Sequence, residues 1–150
     1  MEETLFIIKP DALCENQTGL IIEQILQGGF KIIGMKMLRM DRAKASRFYA
    51  EHRRKDFYRP LVDFMSSNPV IVMVLRRNSA IKKLRELVGA TNPSRAEKGT
   101  IRRRFARDGR HNAVHASDSP ESAKREILFF FKESGINGWK YKNYPVVKMS

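Results

Sequence analysis

Apolar residues recur along the chain with two kinds of spacing, which predict strands alternating with helices. Mostly apolar runs predict strands over residues 4–9, 31–40 and 70–75. Spacings of three and four residues predict helices. The first contains Ile21, Ile22, Ile25 and Leu26 at this spacing, and the predicted inward-facing side chains of two later helices are Ala45, Phe48 and Tyr49, and then Ile81, Leu84, Leu87 and Val88. A further helical segment is predicted around residues 58–65.

Residues with strong positional preferences mark the ends of these elements. Pro10 ends the first strand, Gly28-Gly29 stops the first helix, and Asp41 is an expected N-cap. Ser119-Pro120-Glu121 combines a cap, an N1 proline and a first-turn acid, so it begins a last helix that runs to about residue 131. With a short strand at 112–115, the order β-α-β-α-α-β-α-β-α predicts an α+β sandwich with helices on one mostly antiparallel sheet.

The stretch from residue 89 to residue 110 has little periodicity and is interpreted as a loop. It contains three glycines and a proline, and it is dense in arginine. A loop of about twenty residues in a compact domain is usually functional or disordered. The side chains in it that could donate hydrogen bonds to phosphate are Thr91, Arg95, Lys98, Arg102, Arg103, Arg104 and Arg107.

Length and composition favour one domain spanning residues 1–150. The chain has 150 residues, of which 42% are apolar, and no apolar run approaches the roughly 20 residues of a membrane span. The acidic start, Met1-Glu2-Glu3-Thr4, leads into only a short apolar run, so we expect no secretory signal. The single cysteine, Cys14, excludes an intrachain disulfide and favours a reducing compartment, so the cytoplasm is the expected location.

The net charge of +13, from 29 basic and 16 acidic residues, is unusually positive. Such a charge favours polyanionic partners, whether nucleic acid, an anionic membrane or phosphorylated small molecules. A solubilising surface with no specific partner is an equally open interpretation. Few aromatic residues interleave the arginine-rich stretch, which argues against a stacking platform for single-stranded nucleic acid.

Familiar chemical signatures are missing from the sequence. It has no Walker-type phosphate loop, no Gly-x-Gly-x-x-Gly, no Gly-x-Ser-x-Gly elbow, and no cysteine–histidine cluster with zinc-ligand spacing. Two residues point to another chemistry. Glu126 shares a helical stripe with apolar side chains, although on the helix alone a solvated position at the edge of the stripe is favoured. His115 precedes the loop that leads into the same helix, so Glu126 could fix its tautomer and leave the other ring nitrogen as a nucleophile.

Five short motifs follow one another along the chain: Lys9-Pro10-Asp11, Phe48-Tyr49, Gly89-x-Thr91-Asn92-Pro93, Gly99-Thr100-Ile101-Arg102 and Asn112-x-x-His115-x-Ser117-Asp118-Ser119. In order and spacing they resemble the nucleoside diphosphate kinase family, over about residues 4–131 and almost without gaps. The segment ending in His-x-Ser-Asp-Ser is highly specific, whereas Lys-Pro-Asp alone is weak.

The resemblance implies a ferredoxin-like βαββαβ sandwich with a four-stranded antiparallel sheet and added helices. It also implies a homo-oligomer, a tetramer or hexamer built on a dimer, and a Mg²⁺-dependent ping-pong reaction. A nucleoside triphosphate would give its γ-phosphoryl group to Nδ1 of the histidine. The phosphohistidine would then pass it to a different nucleoside diphosphate.

Site residues follow from the resemblance position by position. His115 would be the nucleophile, Glu126 and Ser117 would orient it, and Tyr49 would lie against it. The phosphates would be held by Lys9, Arg85, Thr91 and Arg102, and the sugar hydroxyl would be reached by Lys9 and Asn112. Phe57 would stack on the base, with Leu61 beside it. Asp118 would face Mg²⁺ through water. Lys9 therefore counts as both catalytic and substrate-binding.

Three positions depart from the family pattern. Arg103-Arg104 replaces a common Gly-Asp, which calls the packing of the loop into question. Gly109 stands where many members place an apolar side chain over the base, and Ala116 replaces the commoner glycine after the histidine. A protein that only binds, for example a nucleic-acid module on this scaffold, would be expected to have lost Lys9, Arg102, His115 or Glu126, and all four are present. Nucleic acid is therefore a secondary partner at most.

The segment 132–150 falls outside the resemblance and is interpreted as a C-terminal tail. Its aromatic residues would pack on a neighbouring subunit or be loosely ordered, with packing slightly favoured; they are Trp139, Tyr141 and Tyr144. The motifs do not distinguish a tetramer from a hexamer, and they do not indicate a preferred nucleotide.

Overall fold

The computed structural model describes residues 1–131, so the predicted tail with its three aromatic residues lies outside the described residues. Residues 1–131 contain four strands: β1 (Glu2–Ile8), β2 (Lys31–Leu38), β3 (Val70–Arg77) and β4 (Val114–Ala116). The α-helices of residues 1–131 are α1 (Pro10–Cys14), α2 (Thr18–Gln27), α3 (Arg42–Phe48), α4 (Tyr58–Ser67), α5 (Ala80–Val88), α6 (Ile101–Phe105) and α7 (Pro120–Phe131), and short 3-10 helices cover Ala50–His52 and Pro93–Arg95.

The strands form one sheet in the order β2-β3-β1-β4, and every neighbouring pair is antiparallel. This order, with α2 and α5 as the main connecting helices, confirms the predicted ferredoxin-like βαββαβ fold. Helices α3 and α4 are added between β2 and β3. None of the helices within residues 1–131 is long and apolar enough to cross a membrane.

Strand β1 lies inside the sheet and is buried on both faces. Phe6 and Ile8 pack into one apolar cluster with α2 and α5, whereas Leu5 and Ile7 pack into another with α3, α4 and the end of α7. All four side chains are fully buried. Because helices cover both faces, the strand is apolar throughout, and each such side chain contributes about 1.5–3 kcal/mol through burial.

The predicted caps are confirmed. The Asp41 carboxylate accepts a hydrogen bond from the Lys44 backbone nitrogen at 2.7 Å, and Ser119 Oγ accepts one from the Ser122 nitrogen at 3.1 Å. Ser119 therefore fixes the start of α7, the helix that carries Glu126.

Some predicted boundaries were wrong for local reasons. Pro10 ends β1 but also begins α1, since proline suits the first helical position. The predicted loop at 89–110 contains a 3-10 helix and α6, capped by Asn92 and Thr100 respectively. Strand β4 begins at Val114, because the residues before it form a tight turn.

Candidate active site

The side chain of His115 lies on β4 and is held by the side chain of Glu126 on α7. Nε2 of His115 is 2.8 Å from Oε2 of Glu126, and Ser117 Oγ donates to the same oxygen at 2.7 Å. The Leu5 backbone nitrogen donates to Ser117 Oγ at 3.3 Å, which ties this network to β1. Because a carboxylate accepts hydrogen bonds, the proton lies on Nε2 and Nδ1 carries the lone pair. Nδ1 makes no hydrogen bond to a residue within 1–131.

Glu126 is buried, so the interpretation of a solvated residue at the edge of the helical stripe was wrong. Its side chain is 7% exposed, whereas that of His115 is 20% exposed. The neighbouring side chains of α7 fill the core beside β1, and the bonds from His115 and Ser117 compensate for burying a polar group there. The predicted pairing of Glu126 with His115 is therefore present in the structure.

Two aromatic rings from the end of α3 enclose the imidazole. Phe48 presents an edge-to-face contact to His115, with centroids 5.4 Å apart, and the Tyr49 ring lies 6.4 Å away. The Tyr49 hydroxyl is buried and has no hydrogen-bond partner within the described chain. Burial, followed by the negative charge of Glu126, raises the pKa of Tyr49 above its ordinary value, so the hydroxyl stays a donor.

Lys9 is a buried cation at the junction of β1 and α1. Its Nζ donates to Oδ1 of Asn112 at 2.7 Å, and the Asn112 amide in turn donates to the carbonyl oxygens of Thr91 and Gly109. Burial, followed by the positive charge of Arg102, lowers the pKa of Lys9 to about 7, while Asp11 opposes the shift. An anion bound at Lys9 would favour the charged form.

Arg102 is anchored by backbone carbonyls. Its two terminal nitrogens donate to the carbonyl oxygens of Gly89 at 3.1 Å and Val114 at 3.0 Å, while Nε is buried without an acceptor in the described chain. Gly89 has a φ of +86°, and a Cβ there would lie 2.5 Å from Thr100 Oγ1. A side chain at this position would therefore shift the backbone of residue 89, whose carbonyl accepts from Arg102. Burial and the charge of Arg85 lower the pKa of Arg102 to about 10.

Arg85 and Asp118 lie within electrostatic reach of the same region. Arg85, in the last turn of α5, acts on Arg102 and also on Asp118. Hydrogen bonding by the Ser122 side chain, together with Ser119 and the charge of Arg85, lowers the pKa of Asp118 below its ordinary value. Asp118 is exposed, so it is an ionised carboxylate open to solvent.

The residues expected to bind the nucleoside lie on a more open surface. Phe57 is 46% exposed, and its ring contacts His52 at 5.4 Å; His52 in turn lies 6.3 Å from Tyr49 beside the imidazole. Leu61 lies one turn into α4 and is partly buried against the core. The side chain of Thr91 is exposed, and its carbonyl joins it to Asn112. An exposed aromatic ring at the rim of a cationic site suits stacking on a base.

The departures from the family pattern are accommodated without removing a cation. Arg103 donates to the carbonyls of Pro93 and Ser94, both at 3.4 Å, and Arg104 donates to Oε1 of Gln24 at 2.5 Å. Gln24 donates to the Gly99 carbonyl at 2.7 Å, so both arginines fasten the loop that carries Arg102. A Cβ added at Gly109 would meet nothing within 4 Å, so this edge of the site is open.

Three residues in or near the site were not predicted as members of it. Asp11 accepts a hydrogen bond from the Ala113 nitrogen, Gln24 anchors the loop, and Phe48 packs against His115. Gln24 could have been found from the sequence, because it is a polar residue at a core position of α2, the same signal that singled out Glu126. The contact of Asp11 could not be found in this way. It depends on a backbone turn at Ala113, and an alanine in the sequence does not indicate such a turn.

The donor set is unsuited to a cation held by the protein alone. Among residues 1–131, no group of three or more His, Cys, Asp or Glu side chains could hold a metal ion. A single ionised Asp118 near the cation Arg85 fits a divalent ion that arrives on a nucleotide, since Mg²⁺ commonly takes one or two carboxylates plus substrate phosphates. Together, a histidine with one free nitrogen and nearby cations can accept a phosphoryl group.

Comparisons with known proteins point to one family. The sequence model of the family described as Nucleoside diphosphate kinase matches residues 2–136, so the resemblance extends beyond residue 131 into the predicted tail. A nucleoside diphosphate kinase from Pasteurella multocida is 52% identical over 136 residues, 91% of this chain and 98% of the relative. Nucleoside diphosphate kinase 1 from Protochlamydia amoebophila is 55% identical over 135 residues, 90% of this chain and 96% of the relative.

Solved structures give the same result for the fold. A crystal form of the Aquifex aeolicus nucleoside diphosphate kinase superposes with a TM-score of 0.85 at 47% identity, covering 87% of this chain and 94% of that one. The apo nucleoside diphosphate kinase of Encephalitozoon cuniculi gives 0.84 at 32% identity, covering 87% and 88%. The similarity in fold therefore covers most of the chain.

Proposed function

The chain belongs to the nucleoside diphosphate kinase family, and from that premise we propose that His115 carries the phosphoryl group between nucleotides. The activity is that of a phosphotransferase, from nucleoside triphosphate to nucleoside diphosphate. In the first half-reaction, Nδ1 attacks the γ-phosphorus, a P–N bond forms, and the bond to the bridging oxygen breaks so that nucleoside diphosphate leaves. In the second, the β-phosphate oxygen of another diphosphate attacks and the P–N bond breaks.

The observation behind the proposal is the hydrogen bond between Nε2 of His115 and Glu126. It places the proton on Nε2 and leaves the lone pair on Nδ1. Attack on phosphorus places positive charge on the imidazole, and the adjacent carboxylate stabilises that charge. Ser117 donates to the same carboxylate oxygen and fixes its position. We assign Glu126 and Ser117 to orienting the nucleophile, and we assign the unpaired hydroxyl of Tyr49 to donation toward the transferred group.

The cations around the site supply the electrostatic part of the reaction. Phosphoryl transfer spreads negative charge over phosphate oxygens, so catalysis is mainly positioning and neutralisation. We propose that Lys9, Arg85, Thr91 and Arg102 hold the phosphates, that Lys9 and Asn112 also reach the sugar hydroxyl, and that Phe57 stacks on the base beside Leu61. Because every base has a π-face, stacking on one exposed ring supports broad base specificity.

Kinases of this kind generally need a divalent cation, and we propose Mg²⁺. Asp118 would contact it through water, while the nucleotide phosphates supply most of its ligands. When bound, the ion would neutralise phosphate charge and orient the transferred group.

A steady-state experiment tests the proposed sequence of half-reactions. Initial rates are measured over a grid of ATP and GDP concentrations. Because one site serves the donor and acceptor in turn, double-reciprocal plots are expected to give parallel lines. Intersecting lines would mean that both nucleotides are bound together, and they would contradict a phosphoenzyme intermediate.

Replacing Glu126 by glutamine tests the orienting carboxylate. The amide retains an oxygen that can accept from Nε2 but loses the negative charge, so we expect kcat to fall about 10²-fold while the Kd for ADP changes less than about threefold. Glu121→Gln, an exposed position in the first turn of the same helix, is the matched control. An equal loss of ADP affinity would instead assign Glu126 a structural role.

Exposed apolar side chains on the edge of the sheet support a homo-oligomer. Strand β2 ends the sheet, and Met35 and Met37 on it are 55% and 62% exposed. Leu20 and Leu26 of α2 are also about half exposed. Large apolar side chains that are half or more exposed are suited to contact with a second copy of the chain. We therefore propose a dimer through these side chains of β2 and α2 as the unit from which a tetramer or hexamer is built.

Binding of nucleic acid stays a secondary proposal that rests on the net charge of +13. Several arginines of the basic stretch already bind within the chain: Arg103 and Arg104 fasten the loop, and Arg107 pairs with Glu15. These contacts favour a structural use of the arginines over a dedicated nucleic-acid surface. The cytoplasm is the proposed location, because the single Cys14 is a free thiol.

A further inference from the structure

The backbone just before β4 makes a tight turn in an unfavourable conformation. The Val114 nitrogen donates to the Asn112 carbonyl at 2.8 Å, which closes a three-residue γ-turn centred on Ala113. Ala113 has a φ of +70° and is fully buried. This form of the γ-turn is rare and strained, and a residue with a Cβ adopts it only when its surroundings hold it there.

Three hydrogen bonds hold the turn from different sides. The Lys9 backbone nitrogen donates to the Ala113 carbonyl at 2.9 Å, and Arg102 donates to the Val114 carbonyl at 3.0 Å. The Ala113 nitrogen donates to Oδ2 of Asp11 at 3.0 Å. Because Ala113 is buried, its N–H would lose its acceptor if Asp11 were removed, and a buried unpaired N–H is strongly disfavoured.

The turn sets the positions of two proposed site residues. Asn112, at its first position, receives the hydrogen bond from Lys9 Nζ. His115 follows its last position directly, on a strand of only three residues. A strand this short has few ladder bonds of its own to fix its start, so the turn determines where the imidazole stands relative to the cations.

We propose that Asp11 is a positioning residue for phosphoryl transfer: by accepting from the Ala113 nitrogen, it holds the strained turn that places His115 and Asn112. The inference rests on the proposed role of His115. Asp11 does not touch the imidazole, so it acts through the backbone. Its other oxygen, Oδ1, is buried without a hydrogen-bond donor in residues 1–131, so the acceptor role of Oδ2 accounts for its placement.

The alternative is that Asp11 acts through its charge alone. It lies close enough to Lys9 to favour the cationic form of Lys9. The two roles separate in Asp11→Asn, which keeps an acceptor oxygen but removes the charge. They separate again in Ala113→Gly, because glycine adopts a positive φ without strain, so the turn keeps its conformation with less help from the acceptor.

The experiment compares wild type with Asp11→Ala, Asp11→Asn, Ala113→Gly and the double variant Asp11→Ala/Ala113→Gly. The readouts are the single-turnover rate of phosphoenzyme formation with ATP and Mg²⁺, the Kd for ADP, and the Tm. We expect Asp11→Ala to slow phosphoenzyme formation about 10- to 100-fold, and to do so more than it weakens ADP binding. Asp11→Asn and Ala113→Gly stay within about threefold of wild type, and the double variant returns to within about fivefold of Ala113→Gly.

Other outcomes overturn the inference. It fails if Asp11→Ala reacts as fast as wild type, if Asp11→Asn loses as much as Asp11→Ala, or if glycine at 113 gives no rescue. If Asp11→Ala does not fold, the double variant is compared with Ala113→Gly. A rate within about fivefold supports the inference, and a larger loss overturns it. A wild-type protein that forms no phosphoenzyme would refute the role of His115 instead, so the two failures are distinguishable.

Discussion

We expect His115→Ala to abolish nucleoside diphosphate kinase activity, with kcat falling by at least about 10⁴-fold. The variant keeps the cations and the exposed ring that we propose bind nucleotide, but it lacks the nitrogen proposed to form the P–N bond. Direct transfer between two nucleotides would require both to occupy the site at once. The affinity for ADP is expected to stay within about threefold of wild type. Isothermal titration calorimetry can measure this affinity alongside the rate assay.

His111→Ala is the matched control for the loss of an imidazole. His111 lies between α6 and β4, where its ring contacts Asp108 and Phe64, and its side chain is 41% exposed. We expect kcat within about threefold of wild type. Retention of transfer in His115→Ala, or a comparable loss in His111→Ala, would remove His115 from its role.

We expect Lys9→Met to lower kcat/KM by about 10²- to 10³-fold, because one of the proposed phosphate donors is lost from a buried position. The pKa of Lys9 is lowered to about 7 by burial, so the free enzyme loses this positive charge as the pH rises. In wild type, kcat/KM is therefore expected to fall above about pH 7, and this alkaline limb should be missing from Lys9→Met. Lys124→Met, an exposed position on α7, should keep the wild-type profile.

The same substitution is expected to stabilise the fold. Lys9 binds its proton less tightly in the folded protein, with a pKa of about 7, than at its ordinary value of 10.5. The unfolded chain therefore binds more protons between these values, so wild-type stability rises with pH across this window. Below about pH 7 the full penalty is present, at most about 5 kcal/mol. Lys9→Met should show a higher Tm at pH 6, and the difference should shrink toward pH 10; a lower Tm would refute the buried-charge explanation.

The fold was predictable from the sequence wherever burial on both faces or a strong cap determined it. Strand β1 is recognisable because helices cover both of its faces and leave it apolar. The start of α7 is recognisable because Ser119, Pro120 and Glu121 each favour a helix N-terminus. Helix α6 was missed because five residues give no readable periodicity, and its one sequence signal is the capping side chain of Thr100.

Residues of the site were predictable where a polar side chain occurs at a position that the sequence pattern otherwise fills with apolar residues. Glu126 stands out as an acid in an apolar stripe, yet helical spacing alone could not distinguish burial from solvation. The hydrogen bonds from His115 and Ser117 decide the matter, and they join residues on two different elements. The γ-turn at Ala113 could not be predicted, because alanine carries no preference for a positive φ and only tertiary hydrogen bonds impose it.

The most direct test follows the phosphoryl group itself. Wild-type protein is incubated with γ-labelled ATP and Mg²⁺, freed of nucleotide, mapped for the labelled residue, and then given GDP. We expect an acid-labile label on His115 that is transferred quantitatively to form GTP, and no label on His115→Ala. A label on any other residue, or a label on His115 that GDP cannot remove, would refute the proposed phosphohistidine intermediate.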